Sequence, residues 1–155
     1  MKKILLISDT HGYIDEKIIK YANKVDEIWH AGDIGDISVS DKLKKIKPLR
    51  GVFGNIDDQK IRTEFPLHNR FICEKVNVWI THIGGYPKRY NPKILEELKS
   101  NPPDLFICGH SHILKVINDK KLGLLHINPG AIGKYGLHSV RTMVQFEING
   151  KKIEN

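Results

Sequence analysis

Residues 4–11 read ILLISDTH: four consecutive apolar residues, a serine, and then Asp9-Thr10-His11. A short apolar run that ends at polar residues is typical of a strand buried on both faces. The aspartate and the histidine would therefore follow the carboxyl end of a core strand. In open α/β sheets, ligands bind among the loops at that edge. The segment thus predicts a core strand that carries Asp9 and His11 to a functional site.

The same arrangement of an apolar run followed by polar residues recurs along the chain. The predicted strands are Ile4–Ile7, Glu27–Trp29, Leu49–Phe53, Val76–Thr81, Leu105–Cys108 and Leu122–Ile127. The segments that follow the later runs are Gly32-Asp33, Gly54-Asn55, His82 and Gly109-His110-Ser111-His112. Helices are predicted between the strands at about residues 14–23, 39–46 and 92–100. This alternation predicts an α/β fold with external helices and with mixed strand directions in its later part.

Length and composition predict one domain over residues 1–155. A chain of this size, 40% hydrophobic, can bury one sizeable core. The apolar run at the N-terminus is too short for a secretory or membrane-spanning segment, so we expect a cytoplasmic protein without a membrane partner. Cys73 and Cys108 are isolated in predicted strands, which favours free buried thiols over a disulfide.

The formal charge of +7 arises from 25 basic residues against 18 acidic ones. The lysines are dispersed along the chain, which favours a solvated basic surface over a dedicated nucleic-acid face. The excess positive charge nevertheless favours anionic substrates. A small anionic molecule is the expected partner, with nucleic acid as the less favoured alternative.

Seven residues at five predicted strand ends are candidate metal ligands. Each one alone has an ordinary structural explanation as a turn, cap or core residue, but their recurrence at strand ends does not. They are Asp9, His11, Asp33, Asn55, His82, His110 and His112. Nitrogen and oxygen ligands without a thiolate suit two divalent transition-metal ions, with Mn as the first candidate and Ni, Fe, Co or Zn as alternatives.

Two metal ions held close together need a shared carboxylate, and Asp33 is the natural bridge. The first ion would take Asp9, His11 and His112 as further ligands. The second ion would take Asn55, His82 and His110. In a strand-like Gly-His-Ser-His segment, side chains two residues apart lie on one face, so its two histidines can reach neighbouring ions.

The chemistry expected of such a site is hydrolysis of a phosphate ester. Two divalent ions, two carboxylates and a bridging hydroxide leave a net charge of about +1, which attracts a phosphate anion. The bridging hydroxide would attack phosphorus in line, without a covalent enzyme intermediate. Among the ligands, we assign the catalytic roles to Asp33, Asn55 and His82.

These motifs together resemble the calcineurin-like metallophosphoesterase superfamily, in its small bacterial and archaeal YfcE-type phosphodiesterase branch. The matching motifs span residues 9 to 112, and Asn128-Pro129-Gly130 resembles a late loop of that branch. The resemblance implies two mixed β-sheets packed as a sandwich and flanked by α-helices, the α-β-β-α fold. It also implies a binuclear metal site with the same ligands.

Ile56 departs from the pattern of many superfamily members. Their metal-binding Asn is followed by a His that contacts the phosphate and helps to protonate the leaving group, whereas Ile56 has no proton to give. The small phosphodiesterase branch commonly lacks this His as well. The substitution favours diesters, or esters with acidic leaving groups, over general monoesters.

Other polar residues near the motifs are candidates for supporting roles. Asp36 and Asp57 could accept hydrogen bonds from ligand imidazoles. Lys88 and Arg89, in the loop after His82, could bind a substrate phosphate together with Asn55. Surface turns and a solvated loop are the competing explanations for these residues. The four histidines outside the motifs are interpreted as structural.

Two other functions are compatible with the sequence. A retromer subunit resembles this branch but serves as a protein-binding scaffold, and such a change of function should remove ligands, whereas every expected position here is filled. A nuclease would be helped by the positive charge, yet the chain has no evident accessory domain. The sequence leaves the oligomeric state open, with a homodimer among the alternatives.

Overall fold

A computed structural model describes residues 1–136, 138 and 140–154. The predicted domain end, residue 155, lies outside the described residues. The strands are β1 (Lys2–Ile7), β2 (Glu27–His30), β3 (Leu49–Gly51), β4 (His68–Cys73), β5 (Val76–Thr81), β6 (Gly85–Tyr86), β7 (Arg89–Tyr90), β8 (Leu105–Ile107), β9 (Leu114–Asp119), β10 (Leu124–Pro129), β11 (Val144–Asn149) and β12 (Lys152–Glu154). The helices are α1 (Glu16–Ala22), α2 (Ile37–Ile46), α3 (Gln59–Glu64) and α4 (Pro92–Ser100).

The strands form two five-stranded mixed sheets and a short two-stranded ribbon, β6–β7. The first sheet has the order β12-β11-β1-β2-β3, and the second has the order β4-β5-β8-β10-β9. In the first sheet, β1, β2 and β3 are parallel, and β11 runs antiparallel to β1. In the second sheet, β5, β8 and β10 are parallel. The parallel strands at the centre of each sheet therefore have their carboxyl ends at a common edge.

The alternation of side chains along β1 shows why its sequence is apolar throughout. Ile4 and Leu6 lie in the cluster between the two sheets, with Trp29, Ile80 and Ile107. The intervening Leu5 and Ile7 point to the opposite face, into a cluster formed with the three helices α1, α2 and α3. Because both faces of β1 are covered, every position from 4 to 7 favours an apolar side chain.

The outer face of the second sheet is covered by α4. Ile94 and Leu98, four residues apart on one helix face, pack with Trp79 and Phe106 of β5 and β8. Helices thus cover the outer faces of both sheets, and the predicted α-β-β-α sandwich is confirmed. Cys73 and Cys108 are free and buried, as predicted. No helix in the described part of the chain is long and apolar enough to cross a membrane.

Several element bounds differ from those predicted. The strand predicted to reach Phe53 ends at Gly51, and Phe53 packs only partly buried against the helical cluster. The Asn118-Asp119 dipeptide is typical of a turn and predicts one, but these residues are the last two of β9. Helix α3 and the strands β4, β6, β7, β9, β11 and β12 were not predicted. The β4 segment has no run of buried apolar residues, since Cys73 is the one buried residue among its six.

Candidate metal centre

All seven predicted ligands lie in loops or at the first positions after strands of the two sheets. Asp9 and His11 follow β1, Asp33 follows β2, Asn55 follows β3, and His82 follows β5 directly. His110 and His112 lie between β8 and β9. Backbone hydrogen bonds tie these loops together: the Asp9 N–H donates to the Gly32 carbonyl at 2.9 Å, and the Gly109 N–H donates to the His82 carbonyl at 2.9 Å. The first of these bonds joins two loops of the first sheet, and the second joins two loops of the second sheet.

Five of the predicted ligands have a left-handed backbone conformation. The φ angles are 54° at Asp9, 48° at His11, 56° at Asp33, 71° at His110 and 63° at His112. This region is uncommon for residues other than glycine and is occupied where the surrounding structure demands it. Such conformations concentrate at functional sites, and their recurrence at five predicted ligands supports a functional role for these loops.

The ligand atoms form two adjacent clusters. One consists of Asp9, His11 and His112, and the other of Asp33, His82 and His110, with the ligand atoms of each cluster all within 4.8 Å of one another. The two clusters meet at Asp33. Its Oδ2 lies 3.4 Å from His11 Nε2 and 3.2 Å from His82 Nε2. A single carboxylate oxygen is therefore placed between an imidazole of each cluster.

Asn55 lies beside the second cluster. Its Oδ1 is 3.0 Å from His110 Nδ1. The backbone N–H of the next residue, Ile56, donates to Asp33 Oδ1 at 3.1 Å. The loop after β3 therefore holds one oxygen of Asp33 while the other oxygen faces the imidazoles.

Three buried polar atoms at the centre have no hydrogen-bond partner among the described residues: Asp9 Oδ1, His11 Nε2 and His82 Nε2. Asp9 Oδ1 lies 3.7 Å and 3.8 Å from these two nitrogens, respectively, too far for hydrogen bonds. Buried polar atoms normally have partners, and those without one call for an explanation. A carboxylate and imidazole nitrogens that converge without bonding to one another fit divalent transition-metal ions held between them.

The tautomers of two ligand histidines follow from the bonds made by their other ring nitrogens. His82 Nδ1 lies 2.7 Å from the Ala31 carbonyl and must donate to it, which leaves the Nε2 lone pair facing the carboxylates. His112 Nδ1 lies 3.2 Å from His138 Nδ1, and His138 Nε2 lies 2.7 Å from the Gly133 carbonyl. Because His138 Nε2 donates to that carbonyl, its Nδ1 accepts from His112. The Nε2 atom of His112 is then also free to bind a metal ion.

The carboxylates and imidazoles shift one another's pKa values. Burial opposes ionisation of Asp9, but neighbouring His11, His82 and Ser8 lower its pKa to about 2. Burial likewise opposes ionisation of Asp33, and His82 outweighs it to lower the pKa of that carboxyl group. The nearby Asp9 carboxylate raises the pKa of His11. Burial disfavours the charged form of His82, but Asp33 and Asp9 raise its pKa overall. The site therefore attracts positive charge.

The two acids predicted to support ligand imidazoles contact backbone groups instead. Asp36 is the N-cap of α2, where its side chain accepts from the Ser38 N–H. Asp57 is buried and accepts from the backbone N–H groups of Ile34, Gly35 and Gly54. Asp57 therefore joins the loop that carries Asp33 to the loop that carries Asn55. It supports the centre through the backbone rather than through an imidazole.

Lys88 and Arg89 do not contact the ligands. Lys88 lines a separate cavity of about 540 Å³ with Tyr90, Ile117 and other residues, none of which is a predicted ligand. Arg89 is exposed on β7. The predicted role of these two side chains in binding phosphate remains a prediction.

Three supporting residues were not assigned to the centre from the sequence. Ser8 Oγ donates to Asp9 Oδ2 at 2.6 Å, and Asn128 Nδ2 donates to the Gly109 carbonyl and to Ser111 Oγ at 3.0 Å and 3.1 Å. His138 positions His112, although it was interpreted as a structural residue. Only Asn128 carried a signal, as part of the late loop Asn128-Pro129-Gly130.

The chain is similar to known proteins along most of its length. Residues 1–151 match the family model of the calcineurin-like phosphoesterase superfamily domain. A probable metallophosphoesterase from Methanocaldococcus jannaschii is 31% identical over 134 residues, which cover 81% of this chain and 66% of that protein. The chain thus spans about two thirds of that relative's length.

Solved structures share the fold at lower identity. An archaeal phosphodiesterase superposes with a TM-score of 0.78 at 24% identity, covering 98% of this chain and 97% of the other. Vps29 from Entamoeba histolytica, in a complex with Zn²⁺, superposes with a TM-score of 0.77 at 18% identity, covering 97% of this chain and 88% of the other. From the family match over nearly its whole length, we conclude that the chain belongs to the calcineurin-like phosphoesterase superfamily.

Proposed function

We propose that this protein is a metal-dependent phosphodiesterase that holds two divalent transition-metal ions and hydrolyses small phosphodiesters. The observation that carries the proposal is the position of Asp33 Oδ2, within 3.4 Å of His11 Nε2 and 3.2 Å of His82 Nε2. One carboxylate shared between two clusters is what a pair of metal ions requires. The name of the archaeal phosphodiesterase among the structural neighbours is in line with this activity.

The side chains at the centre have different proposed roles. Asp9, His11 and His112 would hold one ion, and His82, His110 and Asn55 the other, with Asp33 shared. When bound, such ions lower the pKa of a water and neutralise charge on phosphate oxygens. The Asn55 amide, exposed at the edge of the centre, would donate to a phosphate oxygen through its Nδ2. Donors held in place before the reaction stabilise charge that develops in the transition state.

Ile56 supports a diester as the substrate. Its side chain, next in sequence to Asn55, is 48% exposed and therefore lies at the surface rather than in the core. An apolar side chain there cannot protonate a departing alkoxide. Diesters with acidic leaving groups depend less on such a proton than ordinary monoesters do.

The proposal is tested by reconstituting the protein with Mn, Fe, Co, Ni or Zn. Turnover is then measured on monoesters, linear diesters and cyclic nucleotides. We expect the highest kcat/KM on a diester, with Mn as the first metal to try. In Asp33→Asn, loss of the shared carboxylate should reduce metal affinity at least about tenfold and abolish most turnover. Full activity of this variant would contradict the two-metal arrangement.

A protein-binding scaffold is the second candidate, because the fold superposes on Vps29. Metal binding alone does not separate the two functions, since that Vps29 structure itself contains Zn²⁺. The seven filled ligand positions favour the enzyme. A metal-loaded protein that is inert toward every phosphoester tried would favour the scaffold. Cleavage of single-stranded DNA with salt-dependent binding would instead indicate a nuclease.

A further inference from the structure

A cavity of about 290 Å³ opens next to the second ligand cluster. It shares two residues with the predicted ligand set, Asn55 and His82. Its lining residues are Phe53, Gly54, Asn55, Arg62, Leu67, His68, Thr81, His82, Ile83, Asn91, Lys93 and Ile94. A phosphate held at the metal centre would therefore have one ester oxygen within reach of this cavity.

Four apolar side chains line the cavity together with polar ones, and the cavity is open to solvent. Leu67 is 51% exposed and Ile83 is 42% exposed, whereas Ile94, from α4, is 6% exposed. Exposed apolar side chains gathered beside a polar centre indicate a surface that is covered when a ligand binds. None of the lining residues carries a carboxylate, so nothing in the cavity repels an anionic substrate.

Arg62 provides a rigid planar group in the same cavity. Its Nε donates to the Asp57 carbonyl at 2.8 Å and its Nη2 to the Asn55 carbonyl at 3.3 Å. Its guanidinium carbon lies 4.6 Å from the centroid of the Phe53 ring. A guanidinium group held flat in this way can stack on an aromatic ligand at little cost in side-chain entropy.

We propose that this cavity binds a planar aromatic ester arm of the substrate and so selects aryl or nucleoside-type phosphodiesters over alkyl ones. The inference rests on the proposed function, because it places the phosphate at the metal centre. Apolar walls, a stacked cation and a neighbouring ring suit a flat aromatic group better than a flexible alkyl chain.

The size of the cavity limits the substrate to a small molecule. Its volume of about 290 Å³ lies just below the roughly 300–1,000 Å³ typical of small-molecule sites. One aromatic arm fits such a space. A nucleic-acid strand would need an extended groove with successive stacking platforms.

The experiment compares three phosphonates, which share a phosphate-like head but resist hydrolysis. Binding of phenyl-, cyclohexyl- and methylphosphonate to the metal-reconstituted protein is measured by isothermal titration calorimetry. We expect phenylphosphonate to bind about tenfold more tightly than methylphosphonate, and more tightly than cyclohexylphosphonate. Leu67→Asn should reduce the phenyl-to-methyl affinity ratio at least threefold, because it makes the exposed wall polar without adding charge.

Ile72→Asn is the matched control, since Ile72 is 61% exposed and lies outside the cavity. The phenyl-to-methyl affinity ratio of Ile72→Asn should equal that of the wild type. Equal binding of all three phosphonates, no binding of any of them, or an unchanged ratio in Leu67→Asn would overturn the inference. Cyclohexylphosphonate binding as tightly as phenylphosphonate would also overturn it. Turnover of diesters is measured separately, so the proposed function can stand when this inference fails.

Discussion

Asp9 and Asp33 are buried acidic residues, and their carboxylates lie next to several imidazoles. Asp9 is fully buried and Asp33 is 2% exposed. A buried charge is costly unless it is paired, and nearby histidines lower the pKa values of both carboxyl groups. Single residues at this centre therefore contribute through charge and orientation, and substitutions there should change chemistry more than folding.

Ile56→His should shift activity toward monoesters. An imidazole at this exposed position beside Asn55 can supply the proton that isoleucine lacks. We expect the ratio of kcat/KM on 4-nitrophenyl phosphate to that on bis(4-nitrophenyl) phosphate to rise at least about tenfold. Ile56→Asn serves as the control for loss of the apolar side chain alone. An unchanged ratio in the His variant would refute this role for position 56.

His138→Ala should weaken the binding of the ion held by Asp9, His11 and His112. The substitution removes the acceptor 3.2 Å from His112 Nδ1 and frees that ring to adopt the wrong tautomer. Loss of such a partner typically lowers metal affinity about 10- to 100-fold. Calorimetric metal titration should show one weakened site and one unchanged site.

An Asn at position 138 can accept the same hydrogen bond, so His138→Asn should recover part of the affinity. His68→Ala, a histidine without a ligand contact, should leave both metal affinities unchanged. Equal weakening of both sites by His138→Ala would indicate general damage to the fold and not positioning of one ligand.

At the scale of elements, the loops after the strands depend on glycine for close approach. A Cβ atom at Gly54 would overlap Asp33 Oδ1 and the Asp33 backbone nitrogen. The loop after β3 can therefore pack against the loop after β2 only when residue 54 has no side chain. Close packing of these loops is what places Asn55 and Asp33 together.

Gly54→Ala should therefore displace Asp33 and lower metal affinity at least about tenfold, measured by metal titration. Gly123→Ala is the control: no atom lies within 4 Å of its added Cβ, but its φ of +70° is unfavourable for alanine. It should cost roughly 1 kcal/mol of stability and leave metal affinity unchanged. Normal metal affinity in Gly54→Ala would contradict this prediction, because it would show that the loops can accommodate the methyl group.

At the scale of the whole molecule, the stability should depend on pH through His126. This residue is fully buried between Phe106 and Tyr90, and neither ring nitrogen has a hydrogen-bond partner among the described residues. Burial, assisted by Lys115, lowers its pKa to about 4 from 6.5. The unfolded chain therefore binds more protons than the folded protein between these two pH values.

The contribution of neutral His126 should be fully present above pH 6.5 and be lost as the pH falls toward 4. The lowered pKa corresponds to about 3 kcal/mol over that window. In urea unfolding, the free energy of unfolding of the wild type should decrease relative to that of His126→Leu as the pH falls from 6.5 toward 4. Parallel curves from pH 7 to 4.5 would show that His126 is not the titrating group.

Some elements were predictable from the sequence and others were not. Helix α4 was predicted at its observed bounds because Pro92 favours the first turn and the apolar positions recur with a helical spacing. Helix α3 was missed because it has only six residues and depends on the Asp58 cap and on burial of Ile61. Short elements of this kind are stabilised by packing that no local pattern reveals.

The sequence by itself determined the ligand types and their order, because apolar runs that end in Asp, Asn or His recur at five strand ends. Only the tertiary structure decided how the ligands face one another. The contact between His112 and His138 and the cavity around Arg62 join residues far apart in the chain. The left-handed backbone at Asp33 likewise depends on neighbouring loops. Such features arise from packing between loops, and local propensity cannot encode them.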